Sequence, residues 1–166
     1  MMTSAIKQKI KIYFDTSVVS CLEDHHTPER LRDTNALWDK IKNNVFDVFS
    51  SPVMELELNR TKEPKRTRLL QHLSEIDFTI IESTSEVLAL ADEYMRMEVL
   101  SKTNVNDLLH IAHAVVNRCS VITSWNFDHF VNPEVIRKVA AVNTLNEYPQ
   151  VVIVSPPSLQ IYYPKE

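Results

Sequence analysis

The sequence predicts an α/β fold, a three-layer α/β/α sandwich around a central, mostly parallel sheet. Short apolar runs alternate along the chain with amphipathic helical patterns, which is the order of βα units. The first of these runs is mostly apolar, as in a strand that helices cover on both faces of the sheet. No repeat or linker interrupts the 166 residues. We therefore expect a single domain over residues 1–155, followed by an irregular tail over 156–166.

Five short apolar runs predict the strands of this sheet. They lie at residues 10–14, 46–49, 78–81, 121–125 and 151–154. A helical pattern follows every run but the last, which is the order that joins parallel strands by helical crossovers.

Helix starts are marked by capping residues and prolines. Three pairs place a capping side chain before a proline. They are Thr27-Pro28, Ser51-Pro52 and Asn132-Pro133. A short helix is expected after Asp15, which can cap it, and another helix is expected to start at Pro64. Ser83 and Glu86 match a capping box in front of a long helix. Residues 104–116 form the most apolar helical pattern, so we expect this helix to lie centrally.

The composition excludes several kinds of chemistry. The chain contains no glycine. Dinucleotide-binding loops, Walker A loops and nucleophile elbows all need glycine, because their backbones adopt positive φ or approach a phosphate closely. Nucleotide-cofactor and serine-hydrolase functions are therefore disfavoured. The net charge of −4 gives no support to a basic surface for duplex DNA, although a local basic patch is compatible with it.

The cysteines and the hydropathy pattern bear on the compartment. Cys21 and Cys119 lie far apart and form no CxxC pair. With no signal-peptide pattern at the N-terminus, we expect reduced thiols in a cytoplasmic protein. No apolar run approaches the ~20 residues that a membrane span needs, so no membrane association is expected.

Acidic and amide side chains follow the first and fourth predicted strands, lie in the helix after the second, or lie near the start of the most apolar helix. These candidate site residues are Asp15, Glu55, Glu57, Asp107, Asn126 and Asp128. Ligand sites of open parallel sheets form at the carboxyl ends of the strands, so several of these side chains are expected to converge there. Clustered carboxylates suit Mg²⁺ or Mn²⁺. Taken singly, each acid has another explanation: a helix cap for Asp15, the helix dipole for Asp107, and solvation for the glutamates.

Four segments, in this order and spacing, resemble a PIN domain, the family that includes the VapC-type toxins of bacterial toxin–antitoxin pairs. They are IYFDTSVVS, SPVMELEL, NDLLHIAHAVV and VITSWNFDHF, and the resemblance covers about residues 10 to 131. The resemblance implies a metal-dependent ribonuclease, on an α/β/α sheet, that holds Mg²⁺ or Mn²⁺ with three or four acids. It also implies a homodimer and an antitoxin protein as partner, with RNA as the substrate.

The resemblance assigns the site residues one by one. Asp15, Glu57 and Asp107 are the implied metal ligands, with Glu55 as the fallback for the second acid. Asn126 stands where many members have an aspartate, so it would supply a carbonyl oxygen or hold a metal-bound water without a charge. Asp128 is the further acid that can compensate as a metal ligand. The lost charge should weaken a second metal site more than the first.

Polar and basic residues around these acids are candidates for contact with the substrate. Three hydroxyls are expected to hydrogen-bond ligands or the groups beside them; they are Thr16, Ser17 and Ser124. A basic run lies nearby, made of Arg60, Lys62, Lys65, Arg66 and Arg68. It either contacts RNA phosphates or forms a solvated helix surface. His110, three residues after Asp107, is expected in the core or behind the metal ligands rather than as a ligand itself.

Three alternatives remain open from the sequence. A haloacid-dehalogenase-like phosphatase would share Asp15 at the end of the first strand, but it needs a second aspartate where this chain has Ser17. A receiver domain would carry its phospho-accepting acid on a later strand. The third alternative is a catalytically weak PIN-like module that binds RNA or a protein, and Asn126 motivates it.

Overall fold

The structure, a computed structural model, describes residues 8–162. Five strands and seven α-helices alternate along this part of the chain. In chain order they are β1 (Lys11–Phe14), α1 (Thr16–Cys21), α2 (Pro28–Lys42), β2 (Asp47–Ser50), α3 (Pro52–Asn59), α4 (Lys65–Ser74), β3 (Thr79–Ile80), α5 (Ser85–Arg96), α6 (Val105–Val116), β4 (Val121–Thr123), α7 (Pro133–Leu145) and β5 (Val152–Val154). A 3₁₀-helix over Pro156–Tyr162 follows β5.

The five strands form one sheet in the order β3-β2-β1-β4-β5, and all four pairings are parallel. β1 lies in the centre, with Tyr13 opposite Phe49 of β2 and Ile122 of β4. The predicted α/β/α class is therefore confirmed, with an all-parallel sheet. The carboxyl ends of β1, β2 and β4 lie side by side, which places the residues that follow them at one edge.

Helices cover both faces of the sheet, so the core has two halves. Successive side chains of β1 point to opposite faces. Tyr13 belongs to the half formed with α5, α6 and α7, whereas Ile12 and Phe14 belong to the half formed with α1 to α4. All three side chains are fully buried. This burial explains why β1 is apolar along its whole length, as the sequence predicted.

Two local expectations differ from the structure. The capping residue of α5 is Thr84, whose hydroxyl accepts a hydrogen bond from the Val87 N–H at 3.2 Å, so the capping box assigned to Ser83 was wrong. The Ser83 hydroxyl instead shares a hydrogen bond of 2.9 Å with His113, which is buried behind it. Residues 156–162 are helical rather than irregular, because Leu159 is fully buried against the core.

The ends of the chain and its surface character complete the fold. Residues 1–7 and 163–166 lie outside the described residues, so the single domain over 1–155 stays a prediction. Cys21 and Cys119 are free thiols, and both are buried. Between residues 8 and 162 no helix combines the length and the apolar character that crossing a membrane requires.

Candidate active site

Asp15 is a buried carboxylate at the carboxyl end of the central strand. It occupies the N-cap position of α1, yet its side chain makes no capping hydrogen bond. Its two oxygens accept hydrogen bonds from the hydroxyls of Ser17 at 2.5 Å and Ser124 at 3.0 Å. Burial raises the pKa of Asp15 to about 6, although His110 and the two serines act in the opposite direction. The helix-cap explanation of Asp15 therefore fails, and its charge is left under-compensated.

Glu57, on α3, is held by a buried hydrogen-bond chain. Its Oε1 accepts hydrogen bonds from His110 Nε2 at 2.6 Å and from the Thr16 hydroxyl at 3.0 Å. The other ring nitrogen of His110 shares a 2.6 Å hydrogen bond with the Tyr13 hydroxyl, which itself donates to Ser51. Burial raises the pKa of Glu57, but the hydrogen bond and charge of His110 outweigh it, so the pKa lies below its usual value. Glu57 is thus an ionised, oriented carboxylate.

Asp107, in the first turn of α6, is paired with a histidine from the loop after β4. The Nδ1 atom of His129 donates to Asp107 Oδ2 at 2.8 Å. Burial raises the pKa of Asp107, and the hydrogen bond and charge of His129 offset part of that rise. About a third of the His129 side chain is exposed, and 19% of the Asp107 side chain is exposed. This pair therefore lies nearer to solvent than Asp15.

The three carboxylates share one neighbourhood. The charge of Glu57 raises the pKa of both Asp15 and Asp107, and the charge of His110 lowers both. Two contacts link the acids directly: Thr16, next to Asp15, donates to Glu57, and His110, one turn after Asp107 on α6, donates to Glu57 as well. The structure therefore brings together Asp15 at the end of β1, Glu57 of α3 and Asp107 in the first turn of α6. The sequence predicted that several acids converge at this edge.

The donor chemistry of these acids fits a hard divalent cation, because carboxylate oxygens are the ligands that Mg²⁺ and Mn²⁺ prefer. Their present orientation does not. Over residues 8–162, no three His, Cys, Asp or Glu side chains are arranged to hold a metal ion. Glu57 and Asp107 are each turned to a histidine instead. A cation at this edge would require the acids to move closer together, and the histidine bonds do not forbid this, because each engages one oxygen of its carboxylate.

The three other acid or amide candidates are not part of this cluster of carboxylates. Asn126 uses its side-chain oxygen to accept a hydrogen bond from the His129 backbone N–H at 2.9 Å, which stabilises the turn after β4. Asp128 is exposed and lines a separate cavity with Lys102 and Lys138. Glu55 is exposed on α3 beside an apolar groove. The structure thus brings Glu57 rather than Glu55 to the acids, and it does not bring Asp128 there.

The predicted hydroxyls lie in the cluster, where they hold the acids. Thr16 donates to Glu57, while Ser17 and Ser124 donate to Asp15. Ser17 also accepts a hydrogen bond from the Trp125 N–H at 2.9 Å, and Ser124 accepts one from the Asn126 N–H at 3.0 Å. The Ser124 N–H still bonds to the Val154 carbonyl of β5 at 3.1 Å, and the ladder ends after it, because the next two N–H groups bond to these hydroxyls. Contact of the three hydroxyls with a substrate stays a prediction.

The basic run divides in the structure. Arg60 and Lys62 are exposed, and the charge of Arg60 reaches Glu57. Arg66 donates to Asn59 and lies 3.9 Å from Glu63, so its guanidinium is engaged within the chain. Lys65 lines a groove next to the acids. Only part of the run is therefore placed for contact with a substrate at this edge.

His129 was not among the residues selected from the sequence. Its position in the SWNFDHF segment was visible, but the chemistry of that segment was assigned to Asn126 and Asp128. The signal that could have found it is the Asn126-x-x-His129 spacing, because an asparagine commonly caps the backbone N–H a few residues on. His110 is 1% exposed and bonded to Glu57, in agreement with the expectation of a histidine behind the acids.

The fold and the site define a class of protein. It is a three-layer α/β/α protein with an acidic site at the carboxyl edge of its parallel sheet. The chain belongs to the PIN-domain family, because the family model described as PIN domain matches residues 12–129. PIN domains are generally nucleases, and they generally use divalent metal ions. The resemblance seen in the sequence is confirmed.

A solved structure has a similar fold. It is the crystal structure of VapBC2 from Rickettsia felis bound to a DNA fragment from their promoter. The match covers 88% of this chain and 98% of that chain, with a TM-score of 0.56 and 13% sequence identity. At this identity the likeness shows the fold alone. The search of curated proteins finds no match.

Proposed function

We propose that this PIN domain is a metal-dependent endoribonuclease that hydrolyses RNA phosphodiester bonds. The observation that carries the proposal is the meeting of Asp15, Glu57 and Asp107 at the carboxyl edge of the sheet, each within reach of another's charge. Asp15 is buried, and the charge of Glu57 repels both Asp15 and Asp107, so a cation that joined the three acids would relieve that repulsion. This arrangement favours a cation-binding function.

Asp15, Glu57 and Asp107 are the residues that would hold Mg²⁺ or Mn²⁺. When bound, the cation would neutralise the attacked phosphate and lower the pKa of a water molecule. The chain's own part is to orient the acids. Ser17 and Ser124 hold Asp15, whereas His110, with Tyr13 behind it, holds Glu57. Loss of such supporting partners typically lowers metal affinity or activity about 10- to 100-fold.

The biological setting follows from the family resemblance. We propose that the chain acts as the toxin of a toxin–antitoxin pair, with an antitoxin protein as partner. The fold shared with a chain of the VapBC2 crystal structure supports this proposal. A homodimer is the expected assembly, and size-exclusion chromatography with light scattering checks it, because a monomer at high concentration would contradict it.

A catalytically weak PIN-like module that binds RNA or a protein is the second candidate. One observation favours it specifically. Asn126 stands at the position of a family acid, and its side-chain oxygen accepts a hydrogen bond from the His129 backbone N–H. Glu57 and Asp107 are both bonded to histidines. In this case the chain would bind its partner without cutting RNA.

Cleavage of a mixed panel of single-stranded RNAs separates the two candidates. We expect the wild-type chain to cut RNA with Mg²⁺ or Mn²⁺ and not with EDTA. Asp107→Asn should lower the rate at least ~100-fold, because it removes a charged ligand rather than a supporting partner. Asp92→Asn is the matched control, since Asp92 is exposed on α5.

Several results of the same assay would contradict the proposed nuclease function. An uncut panel with either metal, from a chain that still binds RNA or a protein, would favour the weak module. Cleavage that persists in EDTA would contradict the metal dependence. Cleavage that Asp107→Asn leaves intact, while its circular dichroism is native, would exclude Asp107 from the site.

A further inference from the structure

A groove of about 600 Å³ opens beside the acidic cluster. Its lining includes Ser17, which bonds to Asp15, and also Asn126, Arg30, Lys65 and Trp125. Ser17 is the residue that bonds both to Asp15 and to the Trp125 backbone. The groove therefore joins Arg30 and Trp125 to a residue that contacts the acidic cluster.

The groove borders a stacked arrangement of one arginine and two aromatic rings. The guanidinium carbon of Arg30 lies 5.2 Å from the centroid of the Trp125 ring and 5.1 Å from that of Phe127. The two rings are 6.2 Å apart in an edge contact. The Trp125 ring is held on its buried side, because its indole N–H donates to the buried Thr34 hydroxyl at 2.8 Å. We call Arg30, Trp125 and Phe127 the stacking platform.

Phe127 lies at the solvent side of this platform. It is 42% exposed, and so burial in the core does not explain an aromatic residue at this position. Arg30 is exposed too, and among the described residues no carboxylate lies within ion-pair distance of it. Its guanidinium plane and the Phe127 ring are therefore accessible flat surfaces. Aromatic rings and arginine planes of this kind are the surfaces on which unpaired bases stack.

The charges of the groove argue for base stacking rather than attraction of phosphates. Arg30 and Lys65 are balanced by two carboxylates, Glu23 and Asp24, that line the same groove. Glu23 accepts a hydrogen bond from His72 and lies 3.8 Å from the Arg68 guanidinium, and Asp24 accepts bonds from its own loop that hold its pKa low. A groove without a net positive charge attracts a phosphate backbone weakly.

We propose that the stacking platform is a base-binding subsite, which holds an unpaired RNA base next to the acidic cluster. The proposal rests on the proposed nuclease function for the choice of RNA as ligand. The loop that carries Trp125 and Phe127 also carries His129, which holds Asp107. A base stacked on Phe127 therefore fixes the adjoining backbone relative to the acids. Duplex RNA has no free base to offer, and so the platform selects single strands.

Binding of a labelled single-stranded RNA, followed by fluorescence anisotropy in EDTA, tests the subsite without cleavage. Phe127→Ala and Arg30→Ala should each weaken binding roughly 5- to 100-fold, the range for a lost base–aromatic stack. Phe127→Leu should weaken it similarly, because it keeps apolar bulk and loses the flat face. Arg32→Ala is the matched control, since Arg32 is an exposed arginine of the same helix that pairs with Asp33.

The effect of Phe127→Ala should persist at high salt, because stacking is screened far less than a phosphate contact. A duplex of the same sequence should bind more weakly and should not respond to Phe127→Ala. The exposure of Phe127 predicts a nearly unchanged melting temperature for these variants, which thermal unfolding checks.

The outcomes distinguish the subsite from the nuclease. Wild-type binding that Phe127→Ala and Phe127→Leu leave unchanged overturns the subsite, even if RNA is cut. Equal losses of RNA affinity for Arg30→Ala and Arg32→Ala would show that the effect is one of general charge, and so would a loss that vanishes at high salt. Either result overturns the subsite. A chain that binds no single-stranded RNA also overturns the subsite. An uncut RNA whose binding still depends on Phe127 overturns the nuclease alone and supports the subsite.

Discussion

Asp15 is the residue at which stability and function conflict. The residue is 5% exposed, and its carboxylate accepts hydrogen bonds from two serine hydroxyls rather than from a cationic side chain. Burial raises the pKa to about 6 from an ordinary value of 3.8. A raised carboxylate pKa favours the folded state while the group is protonated, and that contribution is lost as the pH rises through about 6. At neutral pH the ionised Asp15 therefore destabilises the fold.

Asp15→Asn should consequently stabilise the protein at pH 8 in EDTA, by up to about 2–3 kcal/mol in the free energy of unfolding. The gain should disappear by about pH 4, where Asp15 is protonated in the folded state. Urea unfolding at the two pH values measures both numbers. Asp92→Asn, an exposed aspartate, should change neither. A stabilisation of equal size at pH 4 and pH 8 would show that ionisation is not its cause.

The residues at the site differ in how far the sequence predicted them. The meeting of Asp15 and Glu57 follows from strand order, because β1 and β2 end at a common edge. Asp107 follows no strand, and the resemblance to a PIN domain assigned it to the site. The histidine partners do not follow from strand order. Whether His129 reaches Asp107 depends on the path of a loop that Asn126 shapes through one hydrogen bond. Side-chain contacts of this kind are set by tertiary packing, which periodicity does not encode.

The absence of glycine has its consequence at the level of the helices. Four residues with positive φ follow the ends of α2, α5, α6 and α7, where glycine is the usual residue. They are Asn44, Glu98, Arg118 and Glu147. In each case the next N–H bonds back to a carbonyl of the last helical turn, as with Tyr148 and Asn143 at 2.9 Å. Asn44 tolerates this geometry. In the other three residues the Cβ atom lies too close to the following carbonyl oxygen, which strains the backbone.

Glu147→Gly should therefore raise the free energy of unfolding by about 1 kcal/mol, since glycine adopts positive φ without a Cβ clash. Glu147 is exposed at the end of α7, with φ of 60°, so the change removes no core contact. Glu147→Ala is the matched control, because it removes the same side chain and keeps the Cβ. Equal stabilities of the two variants, measured by thermal unfolding, would disprove the strain.

The elements themselves were largely predictable, and their ends were not. Apolar runs and cap–proline pairs located all five strands and the starts of α2, α3 and α7. The α5 cap moved by one residue to Thr84, because Ser83 bonds to a buried histidine of α6. The 3₁₀-helix after β5 was missed, since its cause is the burial of Leu159 against a distant part of the chain.

At the scale of the whole molecule, one loop couples the parts of the site. The segment after β4 contacts Asp15 through Ser124 and through Ser17, and it contacts Asp107 through His129. The central strand and its neighbours supply a rigid edge, while α3 supplies Glu57. Sheet order, helix position and loop path must all be in place before the acids meet. The site is therefore a property of the fold rather than of any one motif.

The central claim is that the acids at this edge form a divalent-cation site. Titration of Mn²⁺ into the protein, followed by the loss of the free-ion electron paramagnetic resonance signal, tests it most directly. We predict that the wild-type chain binds Mn²⁺, that Glu57→Gln weakens binding at least ~10-fold, and that Glu55→Gln, on the same helix, leaves it unchanged. No Mn²⁺ binding by the folded wild-type chain, or equal binding by the Glu55 and Glu57 variants, would contradict the account.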